Sequence, residues 1–293
     1  MTPMQRIQHV LTTRGGPHLG DVLFWTLSDA TLTRSTLVST WQAHSLDVAL
    51  LPELPTAEKA LKAAIRDNQG GHPELLLRFC RESDAEVVFA VVREKRDQSG
   101  NLDYVVECRV ALEKATERLT LDDASHDLAR NVARRFRELR DTHSTDELRR
   151  CVVRTLASFS SVTLRENGGI YWTPSVHAGD VRRLQAAIES IGASKFHLLP
   201  VHDSLEAQQT LGAAAARSLE DELAAMKAEV AEFLAVPPDR KSTLTRRLDA
   251  FDGLRAKAQL YRDCLRVEVD DLDQQLDEMA AAVEGLLDQK RAA

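Results

Sequence analysis

The chain has 293 residues, of which 43% are hydrophobic and 28% charged, with a net charge of −7. That length buries a proper core without metal or disulfide staples, and the acidic balance excludes a protein whose whole surface coats nucleic acid or anionic membrane. No stretch approaches the ~18–20 uninterrupted apolar residues of a membrane span, and Met1 to Leu11 lacks an apolar core of signal-peptide length. These features point to a cytoplasmic protein.

Cys80, Cys108, Cys151 and Cys264 are far apart and form no C-x-x-C pair. They read as small buried hydrophobes in a reducing compartment rather than as a metal site.

In chain order, residues 1–20 read as irregular and end in Arg14-Gly15-Gly16-Pro17-His18-Leu19-Gly20, which is loop chemistry. A short strand is expected over Val22–Leu27. A helix follows from about Thr33 to His44, with Leu37 and Trp41 four apart on one face. Pro52 and Pro55 break the chain, Thr56 caps a helix through Ala60, Leu61, Ala64 and Ile65, and Asn68-Gln69-Gly70-Gly71 stops it. Glu86–Arg93 and Tyr104–Leu112 form an antiparallel hairpin about the polar turn Asp97–Asn101, with Val106, Cys108, Val110 and Leu112 on one face.

Two helices come next, about Asp123 to Arg140 and then one opening on Ser144-Thr145-Asp146-Glu147, the pattern of a capping box. Asn167-Gly168 lies between two β-rich runs, Ser161–Glu166 and Gly169–Thr173, and predicts a tight hairpin because both turn positions need positive φ. A helix over Gly179–Ile191 and a strand over Lys195–Val201 close this part. Hairpins mixed with helices, without a βαβ repeat, give an α+β fold with a mixed, largely antiparallel sheet.

From Ser204 onward strand signals vanish. Leu211, Ala215, Leu219, Leu223, Met226, Val230 and Phe233 mark one apolar stripe, and Pro237-Pro238 must interrupt the helix. A second stripe runs from Leu244 to Leu286 in alternating steps of three and four, the coiled-coil period. The expected result is a long antiparallel helical hairpin with arms of about 45 and 70 Å at 1.5 Å per residue. Its first arm, Ser204–Leu234, reaches back only to around Asp271. The seam of Leu272, Leu276, Met279, Val283 and Leu287 then needs cover, either from the α+β body or from another chain. The domain division that results is 1–120, 121–203 and 204–293.

No phosphate loop, dinucleotide fingerprint, H-E-x-x-H or G-x-S-x-G is present. Gly15-Gly16 and Gly70-Gly71 lack the lysine and the strand-to-helix context of a phosphate loop. His177, His197 and His202 lie near one strand-and-helix unit without a carboxylate at ligand spacing. No catalytic residue, cofactor or metal is assigned. The segment from Asp123 to Thr173 has the order of a winged helix's latter half, with Arg149, Arg150 and Arg154 on the helix before the hairpin. Arg240 to Arg262, which includes Arg246 and Arg247, carries seven basic residues against Asp249 and Asp252.

Two stretches carry a family pattern. One is Leu23-Phe24-Trp25-Thr26-Leu27-Ser28-Asp29 through Pro55-Thr56-Ala57-Glu58-Lys59-Ala60. The other is Gly168-Gly169-Ile170-Tyr171-Trp172-Thr173-Pro174 followed by a helix and coiled coil. They resemble an uncharacterised family of bacterial and phage or plasmid proteins. The resemblance implies a bacterial or mobile-element setting and supplies no active-site residue. The expectation is a non-enzymatic interaction or scaffold protein, binding itself or a protein partner through the helical hairpin. Nucleic-acid binding through the arginines is the alternative.

Overall fold

A computed structural model describes residues 17–29, 31–96, 102–165 and 168–292, with side chains up to Lys290. The loop at Gly15-Gly16, the turn at Asp97–Asn101 and the tip residues Glu166 and Asn167 lie outside the described residues.

Two compact units emerge. One comprises residues 29–151; the other joins the described residues up to Ser28 with those from Val152 onward. The boundaries expected at 120 and 203 therefore fall inside units, for reasons visible in each core.

In the unit of residues 29–151, strands β3 (Leu75–Glu82), β4 (Glu86–Arg96), β5 (Leu102–Glu113) and β6 (Arg118–Leu121) form an antiparallel meander in the order β3-β4-β5-β6. Helices α2 (Ala57–Asp67) and α3 (Asp127–Asp141) cover one face. Val87, Phe89 and Val91 of β4 and Cys108, Val110 and Leu112 of β5 point into this core. They meet Ala60, Leu61 and Ala64 of α2 and Leu128, Val132 and Phe136 of α3. The apolar face of α3 is thus spent on α2 and the sheet, which ties the chain past residue 120 to this unit. The hairpin of β4 and β5 is as expected, longer toward its turn, but Val106 does not share the face of Cys108, Val110 and Leu112: a register shift opposite Val91 and Val92 leaves Glu107 unpaired and turns Val106 to the exposed side. Strands β3 and β6 are additions, since Leu75-Leu76-Leu77 and Leu119 gave no alternating run of useful length.

This unit also holds α1 (Arg34–Ala43), capped by Thr33, whose hydroxyl accepts from Thr36 N at 3.2 Å. A two-stranded ribbon pairs β2 (Leu32–Thr33) with β7 (Thr142–His143). Helix α4 (Thr145–Ser158) opens with the expected capping box: Glu147 N donates to Ser144 Oγ at 3.3 Å, and Ser144 N to Glu147 Oε2 at 2.8 Å.

In the other unit, β1 (His18–Thr26) sits between β10 (Lys195–His202) and β9 (Tyr171–Pro174), with the short β8 (Val162–Thr163) at the edge. Gly20 allows this pairing. Its φ is +155°, and a Cβ there would lie 2.1 Å from the Thr173 carbonyl oxygen. Because β1 pairs with strands beyond residue 162, the N-terminal strand belongs with the C-terminal half. Side chains from Val22, Trp172 and Val201 face a helical bundle. Asp21 turns the other way, toward Arg182 of α5 (Ala178–Glu189).

The C-terminal region holds α6 (Leu205–Ala235), α7 (Lys241–Leu265) and α8 (Leu272–Ala292). The turn before α7 is at Pro237-Pro238, as expected. The expected second arm, however, is two helices. Arg266 takes the left-handed conformation (φ 55°, ψ 32°) and its N–H bonds to Arg262 O at 3.0 Å. Asp271 is left-handed as well. Between them, Val267 is buried and approaches Gly212 of α6, where an added Cβ would lie 3.6 Å from Val267 Cγ2.

Helix α8 therefore doubles back along α7 instead of extending past α6. Arg262 reaches Asp273 at 2.9 Å and Arg255 pairs with Asp277, a register that makes α7 and α8 antiparallel. Arg247 pairs with Glu229 and Lys257 with Glu222, which sets α6 antiparallel to α7. The basic α7 lies between two helices whose carboxylates neutralise four of its cations. Its charge is part of the bundle's own order.

Candidate functional site

The residues expected to meet a partner are buried in the chain itself. Leu272, Leu276, Met279, Val283 and Leu287 all belong to the core of the three helices, and Leu276 and Val283 are fully inaccessible. The expected exposed seam rested on one unbroken 70 Å arm; the break at Val267–Asp271 removes that geometry.

The winged-helix order does not become a winged helix. Helix α3 lies in the 29–151 unit, whereas β8 and β9 lie in the other. Strand β9 pairs on both sides, with β1 and with β8, and only Val162↔Trp172 and Thr163↔Tyr171 join β8 to β9. Arg149 bridges Asp146 at 2.5 Å, and Arg150 Nε donates to Asp146 O at 3.4 Å. Arg154 and Arg246 are exposed, whereas Arg247 is held by Glu229.

The histidines do not converge. His177 Nδ1 is 3.2 Å from Asp180 Oδ2 and its ring stacks on Phe159. His197 stacks on Phe24 at 4.7 Å. The ring of His202 tilts against that of His18, whose Nε2 is 3.5 Å from the buried Asp21. Among the described residues, no group of three or more His, Cys, Asp or Glu side chains is placed to hold a metal. None of the four cysteines is in a disulfide; Cys80 is exposed, against the expectation of burial, because the kink of β3 between Phe79 and Arg81 leaves it outside the paired register.

A groove of about 1000 Å³ opens beside the helical bundle. One wall is α6, through Ala213, Ala214, Arg217, Ser218 and Asp221; the facing wall is α7, through Ala250, Gly253, Leu254 and Lys257. The C-terminal end of α4 and the β8–β9 edge complete it, through Val153, Ala157, Thr163, Leu164 and Tyr171. The close-set small residues on α6 and α7 keep this groove open. Gly253 has nothing within 4 Å of an added Cβ.

A polar cluster lies at its base. Lys257 Nζ donates to Ser218 Oγ at 3.2 Å and to the Glu222 carboxylate, and Ser218 Oγ donates to Glu222 Oε1 at 3.1 Å. Lys257 also sits 5.6 Å from the ring centre of Tyr261. The fully buried Tyr261 hydroxyl donates to Ser160 O at 2.8 Å, and burial raises its pKa. A serine beside a lysine is a nucleophile–base pair only if the amine accepts the hydroxyl proton. Here the lysine donates to both neighbours and the carboxylate accepts from both. The cluster reads as a neutralised ion pair that fixes α6 against α7. Lys257 belongs to the basic run Arg240–Arg262 and Tyr261 to the second apolar stripe, but their meeting with Ser218 and Glu222 carried no sequence signal, because it depends on the helical register across two turns.

A family model matches residues 18–292. The chain belongs to a family of unknown function, DUF6744. Membership agrees with the resemblance carried by the Leu23–Ala60 and Gly168–Pro174 stretches, and the match spans both units. Comparison with curated proteins gives no match. No helix among the described residues is long and apolar enough to cross a membrane.

Proposed function

We propose that the protein is a non-enzymatic interaction protein that takes an apolar polypeptide segment of a partner into the groove between α6 and α7. The observation that carries this reading is the groove itself. It offers about 1000 Å³ with apolar side chains at Val153, Leu164, Ala214 and Leu254 and charges at its rim. That is the size and character of a site recognising a few buried anchors. The inward-facing charge at its base is already compensated by Glu222 and Lys257, so an occupant need not supply a counter-ion there.

This keeps docking in the C-terminal helices but moves it from the distal seam to a groove the chain leaves open. A reducing, bacterial or mobile-element setting is part of the same proposal, supported by four cysteines that form no disulfide and by the family pattern.

The test uses Gly253→Trp. The indole fills the groove without a clash at Cβ, and replacing a mid-helix glycine removes a helix-weakening residue. A displayed random-peptide library panned on the full chain should enrich apolar peptides whose binding is lost in Gly253→Trp at unchanged melting temperature. Failure to enrich any peptide, or enriched peptides that bind the variant equally well, would sink the reading.

A further inference from the structure

The sheet of the 29–151 unit ends in an open strand edge. Strand β5 pairs with β4 from Leu102 to Glu113 except at Glu107, where the register shifts, but with β6 only from Val110 to Glu113. Asp122 closes the ladder at Arg109: Asp122 N donates to Arg109 O at 3.2 Å, and Arg109 N to Asp122 Oδ1 at 2.5 Å. Among the described residues, no strand lies against the second edge of β5 from Leu102 to Glu107, and such an edge is a template for another strand.

The side chains on this stretch are apolar and exposed. Leu102, Tyr104 and Val106 share the face turned away from α2 and α3, and they are 43%, 49% and 49% exposed. Natural edges are usually blunted by lysine, proline or an inward charge; Leu102–Val106 has neither lysine nor proline, and its one charge, Asp103, is exposed, its Oδ1 accepting from Tyr104 N at 3.0 Å.

We propose that this edge pairs with the same edge of a second copy of the chain, antiparallel, about a two-fold axis through Tyr104. Tyr104 then faces Tyr104, Leu102 faces Val106, and Asp103 faces Val105. Three apolar cross-strand pairs form on one face, and cross-strand pairs are what stabilises a ladder. Other axes that keep the two sheets continuous do worse. An axis at Asp103 opposes two aspartates, and one at Val105 sets Asp103 against Glu107 twice. An axis at Val106 runs the partner strand onto Arg109, where Asp122 already occupies the backbone. The pattern apolar–Asp–Tyr–Val–apolar is close to a palindrome about its tyrosine, which is what an isologous contact requires. This contact is separate from the groove and stands or falls without it.

Light scattering on the full chain from low to high micromolar concentration reads the mass. It should rise from 32.6 kDa toward twice that value, and Tyr104→Lys should stay monomeric with an unchanged melting temperature. Register is read by oxidation in a Cys80→Ser background. Of the remaining thiols, Cys108 and Cys151 are buried and Cys264 is half-buried, and burial pushes Cys108 and Cys264 up to about 11, so they oxidise slowly. Tyr104→Cys should cross-link to itself, since directly opposed strand residues lie within disulfide reach. Leu102→Cys alone should not, whereas Leu102→Cys mixed with Val106→Cys should. A monomer at every concentration, a dimer that survives Tyr104→Lys, or self-cross-linking by Leu102→Cys as strong as by Tyr104→Cys would each overturn the proposal.

Discussion

The apolar seam of α8 and the apolar face of the β5 edge are alike as lists of side chains, but the chain treats them in opposite ways. Leu272, Leu276, Met279, Val283 and Leu287 are all at or below 9% exposure, whereas Leu102, Tyr104 and Val106 are all above 40%. The seam looked exposed because its period implied one straight arm; it is covered because six residues at its start turn the helix around. The β5 stretch looked like an ordinary half of a hairpin; it is open because β6 is only four residues long and leaves the lower half of β5 unpaired. An apolar stripe marks an interface between chains only after the chain's own elements have been counted against it.

The largest effect should come from the buried seam. Leu276→Ala removes a fully buried side chain from the contact of α8 with its neighbours, and such a truncation costs about 2–5 kcal/mol. Chemical denaturation reads the loss, and light scattering should show the same association behaviour as the unsubstituted chain. A variant that loses association with little change in stability would return the seam to an interface role and reverse the comparison.

A smaller effect, of opposite sign, tests the turn that hides the seam. Arg266 is exposed and left-handed, a conformation that costs an L-residue about 1–2 kcal/mol and glycine almost nothing. Offset by the greater freedom glycine has when unfolded, Arg266→Gly should raise stability by roughly 0.5–1 kcal/mol. If α7 and α8 formed one straight helix, the same glycine would sit mid-helix and destabilise by about 1 kcal/mol. The sign of the change in denaturation midpoint decides between the two.

The same turn shows where legibility in the sequence ended. Elements marked by local chemistry were readable: the Ser144/Glu147 capping box, the Thr56 cap, the double-proline break, and the hairpin of β4 and β5. The break at Arg266–Asp271 was not, because Val267-Glu268-Val269-Asp270-Asp271 contains neither proline nor glycine. What ends α7 there is tertiary: burial of Val267 against Gly212 and of Leu272 in the bundle. Long-range pairing was equally hidden. Nothing local tells β1 to lie between β9 and β10, although Gly20 is a trace of it, a glycine in a strand where another backbone comes close. The groove was hidden for the same reason, since Ser218, Glu222, Gly253 and Lys257 meet only once α6 and α7 are in register.

The smallest effect belongs to the arginines of α4, which share their sign with the buried cations of α7 but not their setting. In α7, Arg247 and Lys257 pair with carboxylates of α6 and are mostly buried. In α4, Arg149 pairs with Asp146 within one turn of an exposed helix face and Arg154 is exposed. Exposed pairs of this kind contribute about 0–1 kcal/mol, and glutamine keeps the helix propensity of arginine. The triple variant Arg149→Gln, Arg150→Gln, Arg154→Gln should therefore change stability by no more than about 0.5 kcal/mol. Mobility-shift assays at low salt should show no DNA or RNA retained by the parent chain and lost by the variant. If the parent does retain nucleic acid, phosphate contacts predict a binding constant that falls steeply with salt, with a slope reduced by about 1 for each contacting arginine removed. That pair of results would transfer the functional surface from the groove to α4, and it would do so without any winged helix, because α3 spends its apolar face on α2 and the sheet.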